Sequence, residues 1–228
     1  LLMFNLPLVQ NGPSNVAGRN VGQTPGNASA SNFNLPSPLL VGDTLIVADQ
    51  LFNRALRWTA AASFAGSDAN TVLGQNDFSS TGSASPATTS SLNAPSGSPA
   101  SDGTRLFMID TGNSRALIWN SLSMLSGNNV AASQVLGQSD FAGSARNRGV
   151  SPSLNTLANP LGIAAAPASP TRIAIADSGN HRVLLWDNLP SMTGMNGLAA
   201  TRVLGQVDGM GASANAGGLS LSSLSNPS

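Results

Sequence analysis

The chain has no cysteine, no lysine, no glutamate and no tyrosine, and its one histidine is His181. Without cysteine there is neither a disulfide framework nor a thiolate metal site, and the redox compartment stays open. Charged residues are only 9% of the chain, the ten basic ones all Arg and the ten acidic ones all Asp, so the charges cancel. A net charge of zero and a pI near 6.8 leave no electrostatic footprint for nucleic acid or an anionic membrane. No apolar run reaches the roughly 20 residues of a membrane span. Losing Lys and Glu also removes two good helix formers. The chain opens on Leu1-Leu2-Met3-Phe4, without an initiator Met, a basic n-region or a small-residue cleavage site. It reads as a mature product or a piece of something longer.

What is present is turn-rich and apolar. Hydrophobic residues reach 41%, with 24 Gly and 14 Pro, a mixture that predicts an all-β protein with many turns. A ten-residue motif recurs. Asp110 to Trp119 is Asp-Thr-Gly-Asn-Ser-Arg-Ala-Leu-Ile-Trp, and Asp177 to Trp186 is Asp-Ser-Gly-Asn-His-Arg-Val-Leu-Leu-Trp. Asp49 to Trp58 keeps Asp49, Arg54 and Trp58 at the same offsets around a drifted middle. One unit has been copied along the chain.

Three units, 34–92, 93–158 and 159–226, open near Pro36, Pro95 and Pro160, and Asn226-Pro227 matches the next opening. Residues 1–33 match the tail of a unit: Leu1 to Phe4 aligns with Val183 to Trp186, Leu6-Pro7 with Leu189-Pro190, and Arg19 to Gln23 with Arg202 to Gln206. Within each unit a Gly-containing stretch precedes an apolar run ending in Asp, as in Leu45 to Asp49, Leu106 to Asp110 and Ile173 to Asp177. Such runs predict strands buried on both faces. Gly42-Asp43 and Asp102-Gly103 predict tight turns before them. Asp-x-Gly-Asn is a second turn, the segment from Arg to Trp a third strand, and Val-Leu-Gly-Gln (Val72 to Gln75, Val135 to Gln138, Val203 to Gln206) a fourth. Each unit is expected to be a four-stranded antiparallel meander. The Ser/Ala/Gly/Thr stretches Ser79 to Ser91, Ala142 to Thr156 and Gly209 to Ser225 are expected to be surface loops.

This unit is similar to the NHL repeat, and its Val-Leu-Gly-Gln-x-Asp-Phe ending, at Val72 to Phe78 and Val135 to Phe141, resembles a bacterial long-repeat variety of that family. The match is carried by Asp110, Gly112, Asn113 and Arg115 and by Asp177, Gly179, Asn180, His181 and Arg182. It implies a β-propeller, or an arc of one, made of four-stranded blades. Three full units and a half fall short of the four to eight blades of closed rings, so a larger propeller, or open ends completed by neighbouring chains, is expected. The first unit departs from the pattern, with Leu51 and Phe52 in place of Gly and Asn. Its turn is expected to be built differently, with Asn53 taking the positive-φ position. The third unit has Gly209 where the others have Phe, and its edge is expected to pack less tightly.

The repeated Asp and Arg resemble a site, but a catalytic group is needed once and a fold-defining bond in every blade. Asp49–Arg54, Asp110–Arg115 and Asp177–Arg182 are therefore expected to fix turns. Trp58, Trp119 and Trp186 form either an inter-blade core or a stacking array, and one aromatic per blade favours core. His181 reads as a turn residue with no second His to share a metal. Propeller lyases and hydrolases related to the family hold a metal with several His, Asp or Glu side chains, a set this chain lacks. No nucleophile elbow is present either. Arg146 and Arg148 read as a solvated basic pair. Asn27-Ala28-Ser29 fits a glycosylation sequon.

These observations lead to the expectation of a non-enzymatic scaffold or protein-interaction module without a cofactor, outside the cell or on its surface, with a protein or glycan partner. Two alternatives stand beside it: a subunit of an extracellular filament that associates through open blade ends, and a lyase or hydrolase whose metal site lies in another part of the chain.

Overall fold

The computed structural model describes residues 28–59, 67–167, 170–190 and 193–228. Phe4, Asn27 and the half-unit through residue 27 lie outside them. The described residues form three sheets, each a four-stranded antiparallel meander in sequence order. Blade 1 comprises β1 (Pro36–Val41), β2 (Thr44–Asp49), β3 (Arg54–Thr59) and β4 (Thr71–Leu73). Blade 2 comprises β5 (Ala100–Ser101), β6 (Leu106–Asp110), β7 (Arg115–Trp119) and β8 (Gln134–Leu136). Blade 3 comprises β9 (Gly162–Ala166), β10 (Arg172–Asp177), β11 (Arg182–Trp186) and β12 (Arg202–Leu204). The only helical pieces described are short 3-10 turns. The protein is an all-β arc of propeller-type blades, and none of the described sheets closes on itself.

The register is the same in every blade. Asp pairs with Arg at the end of the second and third strands (Asp49↔Arg54, Asp110↔Arg115, Asp177↔Arg182), and Trp closes the other end opposite Leu45, Leu106 or Ile173. A strand has two faces, so this register gives every blade a front set and a back set of side chains. The back of blade 1 (Ile46, Ala55, Leu73) packs on the front of blade 2 (Leu106, Met108, Leu117, Trp119, Val135). The back of blade 2 (Phe107, Ile109, Ala116, Ile118, Leu136) packs on the front of blade 3 (Ile173, Ile175, Leu184, Trp186). The strand from Leu106 to Asp110 is thus buried on both faces, as its unbroken apolar run predicts. β10 alternates between buried and half-buried instead, because only its front is covered.

The tryptophans belong to these interfaces. Trp119 and Trp186 are buried, and their indole N–H groups donate to the carbonyls of Val130 (2.9 Å) and Leu198 (3.2 Å). Trp58 is buried too and donates to Ser67 (3.0 Å). A ring with its polar edge satisfied and its faces packed is core, not a stacking platform.

Polar struts cross the second interface. Arg105 Nη1 donates to the carbonyls of Leu189 (3.0 Å) and Pro190 (3.3 Å), Gln134 Nε2 to Pro190 (3.1 Å), and the Thr171 hydroxyl to Asp102 Oδ2 (2.8 Å). An arm from blade 2 also covers the outer edge of blade 1, and one from blade 3 that of blade 2. Asn129 N–H and Asn128 Oδ1 bind the backbone of Val72, while Gly197 N–H and Asn196 Oδ1 bind that of Val135. Exposed edges are thereby blocked with backbone-like partners.

Candidate functional surface

The Asp–Arg pairs lie inside the turns. Arg54 Nε is 2.9 Å from Asp49, Arg115 Nε 2.6 Å from Asp110 and Arg182 Nε 2.7 Å from Asp177, with every one of these side chains at 0% exposure. The second carboxylate oxygen accepts the backbone N–H of Asn34, Asn93 or Ala158, at the entry to the same blade. Asn113 and Asn180 donate a further bond to Asp110 (2.9 Å) and Asp177 (2.8 Å). The guanidinium then spends its other nitrogens on the long loops. Nη1 reaches the carbonyls of Phe78, Phe141 and Gly209 in turn, and Nη2 reaches Asn32 in blade 1, Thr88 and Ser91 in blade 2, and Ser153 and Thr156 in blade 3. Burial pushes the carboxyls of Asp49, Asp110 and Asp177 above the ordinary value, with the guanidinium and N–H donors pulling the other way. Each group is a complete buried network with no open acceptor for a substrate.

The turn of the first unit has Asn53 at positive φ, as expected, but it is not built differently from the others. The positive-φ residue is the one before Arg in all three blades: Asn53 (φ 52°), Ser114 (φ 49°) and His181 (φ 53°). The glycines of Asp-x-Gly-Asn serve close approach instead. A Cβ on Gly179 would lie 2.6 Å from the Ala158 carbonyl, and one on Gly112 would lie 2.5 Å from the Asn93 side chain. Leu51 is tolerated because it is half exposed, at 50%. Phe52 replaces the Asn by stacking under the Arg54 guanidinium, 5.1 Å from ring centre to Cζ.

The left-handed residue has a second task. Asn53 Oδ1, Ser114 Oγ and His181 Nδ1 accept the N–H of Ala94 (2.7 Å), Asn159 (3.4 Å) and Asn226 (3.0 Å), each the residue before Pro and each at positive φ. His181 is therefore a blade-joint acceptor. Among the described residues no group of three or more His, Cys, Asp or Glu is arranged to hold a metal.

Sequence reasoning left the Gln of Val-Leu-Gly-Gln without a role. Gln75, Gln138 and Gln206 reach back into the turn: Gln138 Nε2 donates to the carbonyls of Asn113 (3.2 Å), Ser114 (3.1 Å) and Ala145 (2.8 Å). Gln75 and Gln206 repeat this toward Asn53 and Gly82, and toward Asn180, His181 and Ser213. The signal was its recurrence at one fixed offset. The preceding Gly is held at φ 90°, 87° or 88° (Gly74, Gly137, Gly205), against Leu92, Leu157 or Leu224.

The long loops, expected to be surface loops, are partly repetitive as well. Thr88/Ser91, Ser153/Thr156 and Ser220/Ser223 form the same hydroxyl-to-backbone turn, each followed by an inward-pointing Leu. Asp77, Asp140 and Asp208 each accept two backbone N–H groups just after the fourth strand. The hydroxyl and N–H donors of Ser79 and Ser80 hold the Asp77 carboxyl down to about 2. Arg148 is likewise no free loop cation. It is half-buried, with Nε on the Gly137 carbonyl (3.2 Å) and Nη2 on that of Gly197 (3.4 Å), tying blade 2 to blade 3, whereas Arg146 is exposed. Gly209 leaves room for Leu154, whose Cγ would lie 2.6 Å from a Cβ there, so the lost Phe is replaced from the loop.

A polar groove of about 380 Å³ lies open between the outer ends of blades 1 and 2, lined by Gln75, Asn76, Ser83, Thr88, Ser91 and Asn129. Asn129 Nδ2 donates to Asn76 Oδ1 there (2.7 Å), and its Oδ1 is buried. None of the described residues forms a helix long and apolar enough to cross a membrane. Blades and grooves of this kind define the class, a repeat protein of propeller-type blades. Compared with known proteins, the chain matches no family model and no curated protein.

Proposed function

We propose that this chain is part of an NHL-like propeller that serves as a non-enzymatic interaction scaffold at the cell surface or outside the cell. The observation that carries this reading is the complete consumption of the recurring polar residues inside the turns. The Asp, Arg, Asn and Gln side chains that a sequence scan selects are spent on carbonyls and N–H groups of the fold. Among the polar groups left to meet a partner are those of exposed loop residues at the blade 1–blade 2 groove, above all Asn76 and Ser83. The groove offers amides and hydroxyls without an aromatic ring, which suits a peptide backbone better than a sugar face. The lack of Lys and Glu and the Ser/Thr-rich loops support an exported setting.

Panels of peptides, folded proteins and glycans probed with the intact chain test this reading. Saturable binding to a peptide or protein is expected, abolished by Asn76→Arg together with Ser83→Arg at an unchanged thermal midpoint. Binding confined to glycans, or turnover with a copurifying metal, would overturn it.

A further inference from the structure

The joints between blades 1 and 2 and between blades 2 and 3 carry the same fittings at their outer ends, and one of them holds a guanidinium. Between blades 2 and 3, Arg148 reaches across from the loop after β8, with Nε donating to the Gly137 carbonyl (3.2 Å) and Nη2 to the Gly197 carbonyl (3.4 Å). Its side chain is half-buried, and the Asp140 carboxylate acts on it electrostatically. The seat is close-fitting, since a Cβ on Gly197 would lie 2.6 Å from Arg148 Nη2. Each part of it has a counterpart one joint earlier. Gly74 precedes Gln75 at φ 90° as Gly137 precedes Gln138 at φ 87°. Asn129 N–H binds the Val72 carbonyl as Gly197 N–H binds that of Val135. Asp77 accepts the N–H groups of Ser79 and Ser80 as Asp140 accepts those of Ala142 and Gly143. Gln75 and Gln138 pin the two loops at the Gly82 and Ala145 carbonyls. What differs is the loop that follows: Gly82 to Thr88 is shorter than Ala145 to Ser153 and contains no Arg. The polar groove opens at this place, with Gly74, Gly82 and Asn129 in its walls and no basic residue in its lining.

We infer that the groove between blades 1 and 2 seats a guanidinium, presented by an arginine side chain of the partner and held across two blades as Arg148 is held in the next joint. The inference rests on the reading of the groove as a peptide or protein site and names the side chain it selects. Asn129 carries a Cβ where Gly197 has none, so the incoming guanidinium sits farther out than Arg148 does, against Asn76 and Ser83, both exposed. Asn76 Oδ1 accepts Asn129 Nδ2 (2.7 Å) and keeps a second lone pair, and the Ser83 hydroxyl adds another acceptor. Asp77, next to Asn76 in the chain, supplies the negative charge that Asp140 supplies to Arg148. A planar fork of donors bridges acceptors on two walls, which the compact ammonium of lysine does not.

An NMR titration of the full chain with N-acetyl-arginine methylamide, and with its lysine and citrulline counterparts, tests the seat. Saturable shifts are expected at the backbone amides of Gly74, Gly82 and Ser83 and at the side-chain amides of Asn76 and Asn129. The lysine and citrulline compounds should bind about 10-fold more weakly or worse, the loss expected for charge-assisted hydrogen bonds not made. Asp77→Asn keeps an acceptor for the Ser79 and Ser80 N–H groups and should weaken the arginine compound by about 2- to 5-fold, as for an exposed ion pair. Ser83→Arg, at an exposed position, should abolish the shifts at an unchanged thermal midpoint. Equal binding of the arginine and citrulline compounds overturns the inference. So does the absence of a saturable shift at these residues, and if peptides without arginine still bind the groove, the partner reading survives it. Saturable, charge-dependent binding of the arginine compound supports the seat even where no peptide or protein binds, a result that counts against the partner reading alone.

Discussion

Asp110 and Arg115 illustrate how far a repeated pair is decided by burial. Both side chains are fully enclosed, and together they collect seven hydrogen bonds, from Asn93, Asn113 and each other and to Phe141, Thr88 and Ser91. Removing one partner strands the other charge. Arg115→Met should therefore cost about 3–5 kcal/mol in urea denaturation, and the double variant with Asp110→Leu should recover a good part of it. Asp102 is a different case. Burial acts to raise its carboxyl, but the Arg105 backbone and guanidinium, the Thr104 N–H and the Thr171 hydroxyl outweigh that and hold it below the ordinary value. A depressed folded-state value means that its contribution is present above the unfolded value, about 4, and is lost as pH falls through the folded one. The three turn aspartates, being raised, carry the opposite sign, so the measurement is a difference. The gap in thermal midpoint between wild type and Asp102→Asn should be open at pH 7 and close as pH falls below about 4. The pairing of Asp with Arg was legible in the sequence from its fixed five-residue offset. The reach of each guanidinium to loop carbonyls more than 20 residues away was not, since no periodicity encodes it.

At the level of the turn and strand, the glycines separate two physical demands that look alike in a sequence. Gly103 sits at φ 93°, and a Cβ added there would meet nothing within 4 Å, so Ala faces only backbone strain, about 1 kcal/mol. Gly137 sits at φ 87°, and a Cβ added there would lie 2.7 Å from Leu157 Cδ1, so Gly137→Ala adds a clash and should cost about 2–4 kcal/mol. Chemical denaturation of the two variants side by side checks the ranking. The same distinction explains why the first unit keeps the common turn, with Asn53 at positive φ as expected, although a differently built turn was expected around it. Its sequence shows Leu51 where Gly stands elsewhere, and a missing Gly invites an argument from positive φ. Asn53 does hold the positive-φ position, but in the unshifted place it shares with Ser114 and His181. The Gly of the motif answers to a carbonyl or side chain of the blade entry, a constraint visible only once the two segments are side by side.

Across the molecule, stability follows from which faces have neighbours. Among the described residues blade 2 is covered on both sides and blade 3 on one, so cooperativity is of the nearest-neighbour kind seen in repeat arrays. Amide hydrogen exchange of the dilute chain should be slowest in β6 and β7 and faster in β9 and β12, whose side chains are half-buried or exposed. Equal protection in blades 2 and 3 at low concentration would contradict that order. The repeat, the strand order, the turn positions and the aromatic core could all be read from the chain, because a copied unit must bury the same residues in the same register each time. The arms that cap β4 and β8, the back-reaching glutamines and the joint made by His181 depend on which copy lies beside which. Local pattern determines a blade; only packing decides what each blade must hold.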